Sequence, residues 1–237
     1  MNGRWDTARR PSRVMLVAMT TLTSSPAADV LARMQADVDD QRETMRARWE
    51  NWSADQGRRP EPENWRTFFE EDAKDLYLAV RPETAKLLYI LARTRHAKTV
   101  VEFGTSFGLS TLCLAAAVRD NGGGRVIGTE FVESKAQAAL ASLTEAQLDD
   151  LVEIRLGDAM ETLARDVPAG VDILFLDGAK HMYLDIVRLL EPRLAPGALV
   201  IADNSDSSPE LMEYLRGGPG YLSSATQPGV EVALRIG

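Results

Sequence analysis

Thr99-Val100-Val101-Glu102-Phe103-Gly104-Thr105-Ser106-Phe107-Gly108-Leu109-Ser110 is the stretch around which the rest of the chain can be ordered. Residues 99–103 form a short apolar run with the character of a buried parallel strand. A turn at 104–108 follows, and residues 110–118 carry the pattern of a helix. A glycine-bearing turn between strand and helix lets backbone approach a ligand closely. The two glycines stand four apart and an acid precedes them, unlike the G-x-G-x-x-G spacing that admits a pyrophosphate. That wider loop suits a ligand with an ammonium, a carboxylate and a nucleoside but no phosphate. Its carboxylate would lie near Ser110, where the free N–H groups of a helix start favour negative charge.

Downstream, strand and helix alternate. Strands are predicted at 125–129, 151–155, 171–176 and 198–202, with helices at 134–143, 159–165 and 183–194 between them. This rhythm gives an α/β fold with a mainly parallel sheet and helices on both faces. Segments 220–226 and 230–236 flank the turn dipeptide Pro228-Gly229 and read as two antiparallel strands added at the sheet edge. The expectation is therefore a Rossmann-like, doubly wound, seven-stranded and mostly parallel sheet with an antiparallel C-terminal hairpin, preceded by N-terminal helices.

Upstream, Ser25-Pro26 opens a helix to about Asp55, with Leu31, Met34, Val38, Met45, Trp49 and Trp52 on one apolar stripe. Such a stripe packs on its own domain, covers the site as a lid, or forms a homodimer contact. The break Gly57-Arg58-Arg59-Pro60-Glu61-Pro62 leads to a second helical piece at 64–77 with Trp65, Phe68, Phe69, Leu76 and Tyr77, more in keeping with core than with a substrate pocket. A helix at 83–93 follows Pro82. The predicted organisation is a disordered leader at 1–25, an N-terminal helical cap at 26–95 and a ligand-binding domain at 96–237.

The ends of the predicted strands carry the chemistry. Asp177 and Lys180 follow one strand in Phe175-Leu176-Asp177-Gly178-Ala179-Lys180, and Asp203-Asn204 follow the next. Side chains at the carboxyl ends of neighbouring strands converge on the crevice where open α/β sheets hold ligands. Asp177, Asp203 and Asn204 offer hard oxygen donors suited to Mg²⁺ or Ca²⁺, and Lys180 a base. All three oxygen-bearing residues also make good helix N-caps. Glu130 stands where an acid would accept both hydroxyls of an unphosphorylated ribose, and Asp158 where it would meet an adenine edge. His181 reads as a helix-start histidine, His96 as a turn residue, and Tyr183 as either a pocket residue or the beginning of a helix.

A net charge of −8 without a basic stripe argues against nucleic-acid binding. The single cysteine, Cys113, excludes an intramolecular disulfide and fits a reducing compartment. No apolar run reaches the roughly 20 residues that span a bilayer. Arg4, Arg9, Arg10 and Arg13 before an apolar run at 14–19 superficially copy a signal peptide, but the run is short and no cleavage site follows. The expected location is cytoplasmic.

These motifs resemble the class I S-adenosylmethionine-dependent methyltransferases, and more narrowly their metal-dependent catechol O-methyltransferase-like branch. The resemblance runs over residues 78–236 and is most specific at 100–110 and 177–180. It implies an enzyme that uses S-adenosylmethionine and Mg²⁺ (or Ca²⁺) to methylate a small hydroxylated acceptor of catechol-like or polyphenolic type. It further implies that Val80, Gly104 and Ser110 hold the methionine part, with Glu102 close by and Glu130 on the ribose. Asp158 and Ala159 would border the adenine, Asp177 would lie near the cofactor's amino group, and Lys180 would be the catalytic base. The metal ligands would be Asp177, Asp203 and Asn204. No match is evident at 223–228 for the family's second substrate-gripping acid, and Glu231 belongs to a different position. Sugar-hydroxyl methylation in natural-product assembly and a non-catalytic S-adenosylmethionine-binding protein are the alternatives. A nicotinamide-dependent dehydrogenase would need a tighter glycine loop and a hydride-handling dyad, and neither is present.

Overall fold

The structure, a computed structural model, describes residues 20–54 and 62–237. The arginine-rich start and the break at 57–61 lie outside these residues, as do the side chains of Trp49 and Trp52. Seven strands form one sheet: β1 (Thr99–Phe103), β2 (Arg125–Glu130), β3 (Val152–Leu156), β4 (Val171–Leu176), β5 (Leu194–Asp203), β6 (Tyr221–Gln227) and β7 (Val230–Arg235). Their order is β3-β2-β1-β4-β5-β7-β6. The first five pair in parallel, and β7 runs antiparallel to both β5 and β6. The chain winds outward from β1 to β3 and then returns to β4 on β1's other side. The β1–β4 gap is thus the topological switch point, where ligands of such sheets bind.

Consecutive side chains of a strand point to opposite faces, and the core divides accordingly. Val100, Val126, Ile173, Phe175 and Ile201 face α1 (Ala27–Ala54), α3 (Pro82–Arg95), α4 (Leu109–Asp120) and the end of α5 (Glu133–Glu145). Val101, Ile127, Leu174, Leu176 and Val200 face α6 (Ala159–Thr162), α7 (Tyr183–Leu190) and α8 (Pro209–Gly217). Every residue of α4 from Leu109 to Val118 is buried, which makes it the central helix of its layer. On α7, Ile186, Val187 and Leu190 are fully covered, each burial favouring the fold by about 1.5–3 kcal/mol.

Several expectations are corrected. Residues 20–25, expected in a disordered leader, include a 3₁₀ turn (Thr21–Thr23) whose Thr21 N–H donates to both Asp120 carboxylate oxygens at 3.1 Å. The segment 64–77 is not one helix. It is a single turn, α2 (Trp65–Thr67), followed by a π turn (Phe68–Asp72) and irregular chain. Phe68 packs with Ala73, Leu76 and Met45, while Trp65 joins the core on the other side. Rings drawn to two different surfaces override local helix propensity. The helix expected at 183–194 stops at Leu190, because Pro192 permits only a 3₁₀ turn (Glu191–Arg193) beyond it. Val30 and Met34 of α1 are buried in the domain's own core, with Leu31 and Val38 packed against it.

Candidate active site

A cleft opens at the switch point, where ligands of open α/β sheets bind. Phe103 and Gly104 wall it at the end of β1, and Thr129 and Glu130 at the end of β2. Gly157 and Ala159 follow β3, and Asp177 to Ala179 follow β4. A smaller chamber shares Leu78, Gly104, Ser106 and Asp177 with it and ends at Ser110. Together they make an elongated slot over four strand ends.

Gly104 adopts φ +98°, and a Cβ there would sit 2.6 Å from the Gly178 nitrogen. Only glycine lets the β1 and β4 turns meet so closely, and the Asp177 N–H donates to the Phe103 carbonyl at 2.8 Å across the same junction. That contact brings Asp177 to the slot. Ser106, also at positive φ, presents a buried hydroxyl with no partner among the described residues.

Glu130 is held rigidly. One carboxylate oxygen accepts from Ser106 N–H at 2.7 Å, and the other from Phe131 and Val132 N–H at 2.8 Å each. A carboxylate offers about four acceptor positions, so roughly one remains for a ligand. Asp158 caps α6 through Met160 N–H at 2.9 Å and takes a 2.6 Å ion pair from Arg66 of α2. Its cap role is therefore realised, and Ala159 beside it lines the cleft.

Two expected cofactor residues stand apart from the slot walls. Glu102 is fully buried beneath the loop, where Thr105 Oγ1 donates to it at 3.0 Å and Thr111 and Ser110 hydroxyls lie alongside. Burial pushes its carboxyl up to about 7 against those hydrogen bonds. Val80 faces a groove between α1 and Leu109, leaving Leu78 and Ala79 to line the slot.

Beyond Asp177 lies the polar cluster. Lys180 donates to Asp177 Oδ1 at 3.0 Å and to the Tyr183 hydroxyl at 2.7 Å. That hydroxyl in turn reaches the Leu176 carbonyl at 2.9 Å and the Asp203 carbonyl at 3.0 Å, at the ends of β4 and β5. Burial raises Asp177 to about 6, with Lys180 opposing and Asp203 adding to the shift. Burial likewise raises Asp203, while Lys180 and Arg81 act the other way. Asp203 Oδ1 is buried without a hydrogen-bond partner, and Asn204 is exposed in a left-handed conformation next to it. Among the described residues no group of three or more His, Cys, Asp or Glu is arranged for a metal, so the donors here are two carboxylates and an amide.

Trp65, Phe69, Phe131 and Lys135 also line the cleft, and sequence reasoning did not select them. Trp65 lies 4.8 Å from Phe131 and 6.3 Å from His181 between ring centroids. Ser106 carried a weak signal as a small polar residue inside the glycine loop. Trp65 and Phe69 stood in an aromatic cluster weighed as core rather than pocket, and Lys135 carried no signal.

This architecture has relatives. A methyltransferase-domain family model matches residues 101–205. The catechol O-methyltransferase of Niastella koreensis is 32% identical over 162 residues, covering 67% of this chain and 68% of that protein. The catechol O-methyltransferase of Mycobacterium tuberculosis is 31% identical over 165 residues, covering 69% and 70%. Among solved structures, the O-methyltransferase TomG of Streptomyces achromogenes, involved in tomaymycin synthesis and bound to S-adenosylmethionine, aligns with a TM-score of 0.63. Its identity is 29%, over 70% of this chain and 86% of that one. The chain belongs to the S-adenosylmethionine-dependent O-methyltransferases of the catechol O-methyltransferase-like family. No described helix is long and apolar enough to cross a membrane.

Proposed function

We propose that this enzyme methylates one of two adjacent hydroxyls on a small catechol-like or polyphenolic acceptor, with Mg²⁺ (or Ca²⁺) held by Asp177, Asp203 and Asn204. The observation that carries this reading is the orphaned Asp203 Oδ1 beside a second buried carboxylate. Of the two acids Lys180 bonds only Asp177, and Arg81 acts on Asp203 only through space, so an Asp203 oxygen stays without a donor, and a divalent ion of oxygen preference would satisfy it. S-adenosylmethionine supplies an electrophilic sulfonium methyl, and a divalent ion at these donors would acidify and orient vicinal hydroxyls.

The chain's own residues then do the following. The β1 and β4 turns, locked at Gly104 and Gly178, hold the slot open with Asp177 on its wall. Lys180, fixed between Asp177 and Tyr183, is the side chain placed to take the acceptor's hydroxyl proton at Nζ. Trp65 and Phe69 wall the cleft with apolar surface.

Incubation with S-adenosylmethionine, Mg²⁺ and a panel of catechols, single phenols and glycosylated acceptors, read by mass spectrometry, tests the reading. Monomethylated catechols that vanish on chelation and return with Mg²⁺ are expected. Equal turnover after exhaustive chelation removes the metal from the scheme, and methylation confined to glycosylated acceptors removes the catechol. Independently of turnover, millimolar Mg²⁺ is expected to raise the melting temperature of the unmodified protein but not of D203N.

A further inference from the structure

Arg66, in the single turn α2, ties the N-terminal cap to a segment 92 positions further along the chain. Its guanidinium donates to Asp158 Oδ2 at 2.6 Å and lies 4.8 Å from the centroid of the neighbouring Trp65 ring. An ion pair open to water at both ends contributes little. Here only the arginine end is open: its side chain is 58% exposed and that of Asp158 15%. Asp158 is also fixed from below, its other oxygen accepting from Met160 N–H at 2.9 Å as the cap of α6. The guanidinium over the indole adds a cation–π attraction that keeps ring and charge together.

What this pair fastens is a wall of the cleft. Trp65 and Phe69 bring the cap to it, and Gly157 and Ala159, on either side of Asp158, line it from the start of α6. The Trp65 ring lies 4.8 Å from Phe131, which follows Glu130, and 6.3 Å from His181, which follows Lys180. A helix of one turn has no stability of its own, so α2 stays where its contacts hold it.

We propose that Arg66 is a positioning residue for cofactor binding: the Arg66–Asp158 pair latches α2 to the start of α6 and so holds the Trp65 ring as a wall of the cleft while S-adenosylmethionine is bound. The inference rests on the family's S-adenosylmethionine chemistry and on neither the metal nor the acceptor proposed above. A latch that shuts beside a bound ligand acts on its escape more than on its entry.

Association and dissociation rates of S-adenosylhomocysteine, measured by surface plasmon resonance on the immobilised full chain, test the assignment in the unaltered protein, R66M and R66K. Methionine keeps apolar contact with the Trp65 ring and removes the charge. In R66M dissociation is expected to quicken about three- to fivefold, in keeping with an ion pair open at one end, while association stays within about twofold. Between about 0.05 and about 0.5 M NaCl, dissociation from the unaltered protein should climb toward the R66M rate as screening weakens the pair, and R66M should respond little. R66K, which keeps a cation without the planar fork, should fall between the two. Should R66M fail to fold, R66K and the salt dependence of the unaltered protein carry the same test. Equal dissociation rates in R66M and the unaltered protein overturn the proposal. Faster release that salt alters equally in both proteins also overturns it, because the arginine would then be a packing residue. An unaltered protein that does not bind S-adenosylhomocysteine overturns the cofactor site together with the latch, an outcome distinct from a change confined to the variants.

Discussion

The ammonium of Lys180 donates to the phenolic oxygen of Tyr183 at 2.7 Å, and that hydroxyl is anchored on the carbonyls of Leu176 and Asp203. Tyr183 is fully buried, and burial with Asp177 and Asp203 nearby holds its hydroxyl well above the ordinary range. It thus stays neutral and ties the lysine to the ends of both strands that carry the acids. It positions Lys180 and does not itself line the slot.

Removing the hydroxyl alone separates these roles. Y183F is expected to lower kcat by roughly tenfold while KM for S-adenosylmethionine stays within twofold, because the cofactor walls are untouched. It should also cost about 1–3 kcal/mol in urea denaturation, since two buried carbonyls lose a partner. Unchanged kcat would show that Lys180 is placed without the tyrosine.

Gly104 tests the junction of the β1 and β4 turns. At φ +98°, with a Cβ placed 2.6 Å from backbone nitrogen, G104A forces the two turns apart. A stability loss of about 2–3 kcal/mol by chemical denaturation, together with loss of measurable S-adenosylhomocysteine binding, is the expected result.

Trp65 should report cofactor binding. Its ring walls the cleft against Phe131, whereas the chain's other three tryptophans precede it in the N-terminal region. Adding S-adenosylhomocysteine should change intrinsic fluorescence, and W65F should remove most of that change. W65A should weaken binding by up to about tenfold through lost aromatic contact. A fluorescence response undiminished in W65F would place the reporter elsewhere.

Glu102 sets a pH dependence of stability. Its carboxyl is raised from 4.5 to about 7, with burial the chief cause. Between those values the unfolded chain has released a proton that the folded chain retains. Stability from this group is therefore full below pH 4.5, falls as pH rises through the window, and levels off above pH 7. The drop is on the order of 3 kcal/mol, roughly 2–4 °C of melting temperature per kcal/mol at this size. Melting curves of E102Q should lack this slope relative to the unaltered protein across the window, and parallel profiles would place the proton elsewhere.

Much of the architecture was legible because parallel strands buried on both faces advertise themselves as apolar runs. Val171–Leu176 and Thr99–Phe103 match the expected spans to the residue. Asp177, Lys180, Glu130 and Asp158 were selected because each follows or ends a strand, and the topology carries such positions to one edge of the sheet. Less legible was the cap. Trp65 looked like ordinary core, and its helix looked continuous, because nothing local tells an aromatic ring which of two surfaces will receive it. Glu102 and Val80 were assigned by likeness to the family, yet their side chains turn away from the slot, one under the loop and the other toward α1.

Strand ends, glycine turns and the βαβ alternation are matters of short-range pattern, so the order of residues alone was enough to establish the sheet and the edge at which its chemistry gathers. Which of those acids keep an open acceptor position, and where the tyrosine hydroxyl that holds Lys180 is itself anchored, depend on contacts between segments distant along the chain. Lys135 meets the Phe107 ring only because α5 lies against the glycine loop, and Arg66 reaches Asp158 across 92 positions. Burial and hydrogen-bond saturation are properties of packed neighbours, and they came into being only when the chain closed on itself.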